Sequence, residues 1–224
     1  MSHKAVTLPK QLSDPAQWDK LIQKYKDFRL TSLRQSPESF SSTFIRELNF
    51  PKETWETRLK NLQALNTVIV SDPNPGTADD LSLILNSPWL GSLVLSGPLE
   101  AKTAAKTWEE KQNFEPGSTE FGPIADDINW AYVLNAIFVL SSERRKGLAN
   151  KLIEYAKNLA AEENGGRKVM LVLIVNFNSG AAIRCYEKSG FEVVHEYWFD
   201  DPNGSGSEKG HAAVMRLDVG GDEV

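Results

Sequence analysis

Cysteine is nearly missing from this sequence. Cys185 stands alone among 224 residues, which excludes an internal disulfide and leaves no Cys/His spacing for a structural zinc. Only three histidines are present, His3, His195 and His211, and they form no recognisable motif. No run approaches the roughly 18 consecutive apolar residues of a membrane-spanning helix. Met1-Ser2-His3-Lys4 lacks the apolar stretch of a secretion signal. These absences lead us to expect a reducing interior, cytoplasm or nucleus, with no metal and no membrane partner. A broad basic footprint is missing as well. The net charge of -5 argues against a nucleic-acid partner and leaves acidic surface to attract a cationic substrate. What is there is ordinary for a globular chain with a sizeable core, 41% hydrophobic and 25% charged. The length is long for one compact domain and short for two. We read residues 1–224 as a single domain, monomer or homodimer.

No internal repeat is visible along the chain. Val6-Thr7-Leu8 reads as a short first strand. Asp14 and Pro15 read as N-cap and first residue of a helix. Trp18, Leu21, Ile22, Tyr25, Phe28 and Leu33 follow at helical spacing, ending near Ser36-Pro37. A second helix is expected from Pro51, with Trp55, Leu59, Leu62 and Leu65 on one face. Thr67 to Val70 reads as a strand, followed by turn-rich residues from Ser71 to Thr77. Leu90 to Leu95 reads as another strand, ended by Gly97-Pro98. Residues 101–127 read as an insertion or long loop, with room for a short helix through Ala104 to Lys111. Its aromatics, Trp108, Phe114 and Phe121, would line an acceptor pocket or pin the loop to the core.

The second half is more regular. Trp130 to Leu140 is strand-like. Gly147 to Glu163 is an amphipathic helix with Leu148, Leu152, Ile153, Ala156, Leu159 and Ala160 inward, closed by Gly165-Gly166. Val169 to Val175 is a nearly unbroken apolar run, the mark of a strand covered on both faces. Ser179 to Lys188 reads as a helix stopped by Gly190. Phe191 to Trp198 and Ala212 to Leu217 read as strands joined by a flexible loop at 199–210. A strand–helix–strand crossover makes its two strands parallel if they share a sheet, so the expected fold class is α/β with a mixed sheet.

One segment carries a definite chemical suggestion: Arg144-Arg145-Lys146-Gly147-Leu148-Ala149, placed between a buried strand and an amphipathic helix. A helix start offers unpaired backbone N–H groups and the positive end of a dipole. Gly147 and Ala149 have almost no side chain, so a phosphate can approach the backbone closely. Arg144, Arg145 and Lys146 add positive charge, and together these features suit a pyrophosphate. The bland alternative is a strand-to-helix turn with solvated basic residues. The spacing is neither that of a Walker P-loop nor that of a dinucleotide fingerprint. A nucleic-acid or protein-interaction module built on the Arg-Arg-Lys triplet is a further alternative.

Arg-x-x-Gly-x-Ala after a strand resembles the acetyl-CoA signature of the GNAT superfamily. About thirty residues on, Asn176-Phe177-Asn178 and then Ala182-Ile183-Arg184-Cys185-Tyr186-Glu187-Lys188-Ser189-Gly190-Phe191 resemble the second signature, at a spacing that fits one strand–helix unit. Arg29-Leu30, Ser36-Pro37-Glu38-Ser39-Phe40, Glu47 and Trp55-Glu56-Thr57-Arg58 also look like members of this group. The resemblance implies a mixed, mostly antiparallel sheet with a splayed central parallel pair, flanked by helices. It implies an N-acetyltransferase that takes acetyl-CoA as co-substrate and transfers the acetyl group directly to an amine. Arg144, Arg145, Lys146, Gly147, Leu148 and Ala149 would hold the phosphates, and backbone at Ile137, Phe138 and Val139 would pair with the pantetheine arm. Tyr186 would be the general acid for the departing thiolate. Two departures matter. The position of the pattern's asparagine falls on Ser179, with Asn178 one residue early, so either contacts CoA. Val133 stands where many relatives carry a glutamate, so the usual base is missing. Candidate bases are then Glu47, Glu120, Asp126, Asp127 and Tyr132. An acyl-cysteine route through Cys185 is disfavoured, because adjacent helix residues face different directions. A CoA-binding protein that has lost catalysis remains an alternative.

Overall fold

The computed structural model describes residues 2–73, 75–111, 123–200 and 209–220. Glu120, Phe114, Phe121, the side chain of Trp108 and most of the expected 199–210 loop lie outside the described residues. Seven strands run β1 (Ser2–Thr7), β2 (Ala64–Asp72), β3 (Trp89–Glu100), β4 (Trp130–Val139), β5 (Val169–Asn176), β6 (Glu192–Asp200) and β7 (Lys209–Val219). They are hydrogen-bonded in the order β1-β2-β3-β4-β5-β7-β6. Among the described residues seven α-helices are interspersed: α1 (Pro15–Gln35), α2 (Phe44–Leu48), α3 (Lys52–Lys60), α4 (Asp80–Asn86), α5 (Ala101–Lys111), α6 (Leu148–Glu163) and α7 (Gly180–Lys188). The sheet is mixed. β1 with β2, β5 with β7 and β6 with β7 are antiparallel, and β4 with β5 is parallel. The parallel ladder runs from Trp130↔Val169 to Val133↔Val172. None of the described helices is long and apolar enough to cross a membrane.

The chain divides into two compact units. The first comprises Met1–Leu95 and Ala136–Leu152. Its core gathers Leu21, Leu33, Trp55, Leu59, Val70 and Ile84 between α1, α3, α4 and the β1–β2 pair. Each such side chain contributes about 1.5–3 kcal/mol by leaving water. α1 forms as its periodicity predicts. Asp14 accepts the Ala16 N–H at 2.9 Å, Pro15 begins the helix, and Pro37 forbids its continuation. The second unit comprises Ser96–Asn135 and Ile153–Val224. Here Ala101, Ala104, Ala105, Ile128, Met170, Val172 and Val214 form the core. α6 is closed by Gly165 and Gly166, both at positive φ, with the Gly166 N–H donating to Ala161 O at 2.8 Å.

Several expectations are corrected. The first strand is Ser2–Thr7 and not Val6-Leu8. α3 stops at Lys60, so Leu62 and Leu65 are not on its face. Asn61 leaves the helical region, and its side chain accepts the Gln63 N–H. Leu62 is 80% exposed, and Leu65 belongs to β2. Gly97-Pro98 does not end β3, which runs on to Glu100. Gly97 is required for a close approach: a Cβ there would sit 2.7 Å from the Tyr132 ring. Within the 101–127 segment the short helix expected through Ala104 to Lys111 begins three residues earlier, as α5 at Ala101. Its cap is the Glu100 carboxylate, which accepts N–H bonds from Thr103 and Lys102 at 2.6 and 3.2 Å. Two helices escaped the sequence reading, α2 and α4. Both are short, and both carry a side-chain cap, Thr43 to the Arg46 N–H and Asp79 to the Ser82 N–H.

Candidate functional site

In the first unit β4 and α6 are joined by a tight turn that bears most of the predicted binding residues. Ile137 is half-buried, while Phe138 and Val139 are buried. Leu140 donates its N–H to Leu90 O at 2.9 Å and Ser141 donates to the Gln35 side chain at 3.1 Å. A single 3-10 turn, Ser141–Glu143, follows. Arg145 then adopts φ 63° and Gly147 φ 77°, both in the left-handed region, and α6 opens at Leu148. No acidic residue stands in the first turn of α6, so its positive dipole end and leading N–H groups are not neutralised by a side chain. A Cβ at Gly147 would meet nothing within 4 Å. The turn therefore presents backbone to open space, which is the geometry an oxyanion needs.

The three basic side chains of this turn differ in their engagement. Arg144 is turned inward: Nε donates to Val139 O at 3.2 Å and Nη2 to Ser36 Oγ at 2.7 Å. It fastens the turn to the end of α1. Lys146 pairs with Glu143 at 2.9 Å. Arg145 is exposed on the same turn.

The same unit holds a cavity of about 30 Å³. Tyr25, Phe28 and Arg29 of α1, Thr67 of β2, Ser92 of β3 and Ala136 of β4 line it. Ala136 carries φ 50°, an unusual backbone for a residue with a Cβ, at the point where β4 approaches Ile137–Val139. Sequence reasoning missed this cavity. Its lining comes from five segments, Leu8 among them, that no local pattern joins.

Behind the cavity lies a buried charge cluster. Glu47 is 1% exposed. Its Oε1 accepts from Arg29 Nη2 at 2.8 Å, and its Oε2 accepts from Arg29 Nε at 3.2 Å and Arg58 Nη1 at 2.7 Å. Burial alone would raise the Glu47 pKa, but the hydrogen bonds and charges of the two arginines outweigh it and bring it down to about 2. Glu47 is thus a permanent carboxylate and no base for an amine, which corrects its place among the candidates. Arg29 also stacks over the Phe40 ring at 4.5 Å, and its Nη1 is buried without a hydrogen-bond partner.

In the second unit the β5–α7 turn holds the remaining candidates. The Asn176 side chain accepts the Asn178 N–H at 2.9 Å, and Asn176 O accepts from Ser179 N–H at 2.8 Å. Asn178 is exposed. Ser179 is the N-cap residue of α7, and its side chain makes no capping bond. Tyr186 packs edge-on to Phe191 at 6.3 Å between ring centres. Burial, and after it Cys185, pushes its pKa well above the ordinary phenol value, so the hydroxyl keeps its proton. Burial likewise raises the Cys185 thiol, against a smaller opposing effect of Lys188, which weakens it as a nucleophile. Among the other candidate bases, Asp126 and Asp127 are exposed and paired with Lys102 and Lys168. Tyr132 is buried, and its hydroxyl accepts from Asn164 at 2.7 Å. Among the described residues no group of three or more His, Cys, Asp or Glu side chains is gathered as for a metal.

The fold has counterparts among solved structures. No curated protein matches the sequence. Among solved structures, the chain is similar to Arabidopsis thaliana NAA60 in complex with a bisubstrate analogue, at 14% identity over 96% of this chain and 99% of that one, with a TM-score of 0.57. It is similar to a GNAT-family acetyltransferase from Streptococcus pneumoniae, at 13% identity over 98% and 100% of the two chains, with a TM-score of 0.58. It is also similar to the spermidine N-acetyltransferase of Vibrio cholerae in complex with CoA and spermine, at 13% identity over 96% and 95%, with a TM-score of 0.56. At such identities these likenesses speak for the fold. In sequence, residues 104–193, the stretch holding β4, the turn before α6 and Tyr186, match the model of the acetyltransferase (GNAT) domain.

Proposed function

We propose that the protein is an acetyl-CoA-dependent N-acetyltransferase that passes the acetyl group directly to an amine. The observation that carries this reading is the turn before α6, where Gly147 at φ 77° faces open space at a helix start free of acidic residues. The pyrophosphate of acetyl-CoA sits on the N–H groups from Gly147 to Ala149, with Arg145 as the solvent-side cation. Lys146 can exchange Glu143 for a phosphate, whereas Arg144 serves by holding the turn to Ser36. The pantetheine arm pairs with β4 backbone from Ile137 to Val139, and Asn178 or Ser179 supplies a further contact.

Both substrates are bound at once, so positioning supplies much of the rate. The amine nitrogen attacks the thioester carbonyl, a C–N bond forms, and the C–S bond breaks. A backbone N–H in the Ile137–Val139 segment polarises the carbonyl oxygen and contributes about 3 kcal/mol, the usual worth of such a donor. Tyr186 offers its proton to the departing thiolate and regains one from solvent. The amine sheds its own proton to solvent. The setting is the cytoplasm or nucleus, and the enzyme is a monomer or homodimer.

A second reading, a CoA-binding protein without catalysis, is favoured by Val133, which stands where many relatives place a glutamate. One experiment separates the two: acetyl-CoA affinity by calorimetry, together with CoA thiol release across an amine panel. Binding with thiol release supports the enzyme, and binding with none from any amine supports the silent protein. Salt-dependent nucleic-acid binding without CoA affinity would support neither.

A further inference from the structure

We propose that the cavity beneath Ala136 receives a carboxylate on Arg29, so that the acceptor is a small amine bearing a carboxylate, an amino acid or a close analogue. The inference rests on the acetyltransferase reading above and names the substrate class for it.

Charge is the first argument. Arg29 and Arg58 share the single carboxylate of Glu47, which leaves the cluster one positive charge in excess. Both Glu47 oxygens are already committed, to three donors in all. Arg29 Nη1 is buried with no acceptor, and a buried charged donor is costly until it is paired. Tyr25, Asn66, Thr67 and Ser92 are the other polar residues of the lining, and no acidic side chain is among it. An entering anion meets a guanidinium and neutral side chains, with the Asn66 amide N–H group already donating to Arg58 O and Ala64 O. The second ammonium of a polyamine would meet only repulsion.

Size is the second argument. About 30 Å³ holds roughly two water-sized groups, the bulk of two carboxylate oxygens. Position is the third. Ala136 both lines the cavity and precedes the Ile137–Val139 segment assigned to the thioester arm, so a carboxylate on Arg29 leaves the amine of an amino acid on the side where the acetyl group arrives.

The test is CoA thiol release by the full-length protein with matched acceptors: free amino acids, the corresponding carboxamides, and spermidine. Carboxylates should exceed carboxamides at least tenfold in kcat/KM, with spermidine inert. In Arg29→Gln that ratio should collapse towards one. Because Arg29 also holds Glu47, a second variant leaves the cluster intact: Ser92→Leu fills the cavity and should cut kcat/KM for carboxylates at least tenfold without changing acetyl-CoA affinity. Equal or better use of carboxamides or spermidine, a ratio preserved in a folded Arg29→Gln, or acetyl-CoA binding without transfer to any carboxylate-bearing amine would each overturn the inference. Failure to bind acetyl-CoA overturns the acetyltransferase reading as well, and calorimetry reports that separately.

Discussion

Replacing Glu47 by glutamine should lower stability substantially, and by an amount that depends on pH in a defined direction. The carboxyl is 1% exposed and titrates at about 2 in the fold, against a reference of 4.5. A depression of that size corresponds to about 3 kcal/mol of stability above the reference pKa. Glutamine keeps one acceptor oxygen but turns an N–H group toward a guanidinium, so the loss should be of that order; breaking buried ion pairs costs about 3–5 kcal/mol. Arg58, a third exposed, is partly screened by solvent, which favours the lower end. For a chain of this size each kcal/mol moves the Tm by about 2–4 °C, so the variant should melt about 6–12 °C lower at pH 7. The folded pKa lies below the unfolded one, so the contribution is complete above about pH 4.5 and is lost as pH falls through about 2. Circular-dichroism melts of both proteins at constant ionic strength should therefore give a constant Tm gap from pH 7 to pH 5 that closes below it. A gap under 1 °C at pH 7, or one of equal size at pH 2.5, would refute the reasoning.

Three further outcomes follow from the site and its support. Gly147→Trp should weaken acetyl-CoA binding more than tenfold while costing only about 1 kcal/mol in left-handed backbone strain, since no neighbour obstructs a side chain there; an unchanged Kd in a folded variant refutes the phosphate assignment. Tyr186→Phe keeps the ring against Phe191 and should slow single-turnover transfer about a hundredfold, the usual worth of a positioned acid, with acetyl-CoA affinity intact. An unchanged single-turnover rate means that solvent protonates the thiolate. Gly91→Val places a Cβ 2.9 Å from Phe138 O and 3.3 Å from Leu152 and Val139 side chains, so overpacking should destabilise by about 1–3 kcal/mol; an unshifted Tm in thermal melts contradicts that crowding.

Elements with a long, unbroken period were legible in the chain. α1, α6 and β5 lie within a residue or two of where their apolar spacing puts them, because each buries one stripe or, for β5, nearly every side chain. Errors arose where one pattern runs across a boundary. Leu62 and Leu65 continue the spacing of Trp55 and Leu59, yet Asn61 has already turned the chain from helix to strand. Gly97-Pro98 carries the composition of a turn, but the glycine is there for the Tyr132 ring. α5 was placed late because its cap is a glutamate, a residue seldom preferred at that position.

The candidate site divides along a physical line. The turn at Gly147 was legible because a left-handed φ and an absent Cβ are local, and the flanking strand and helix are visible in the neighbouring residues. At Arg144 the charge is local but its engagement is not. Its guanidinium is taken by Val139 O and by Ser36, 108 residues away. Glu47 shows the same limit from the other side. Read alone it is a carboxylate available to accept a proton. Two arginines arriving from 18 residues before it and 11 after it remove that capacity, and in doing so they leave one buried donor on Arg29 unspent. A base was expected from the residue type, whereas the two arginines hold Glu47 as a carboxylate.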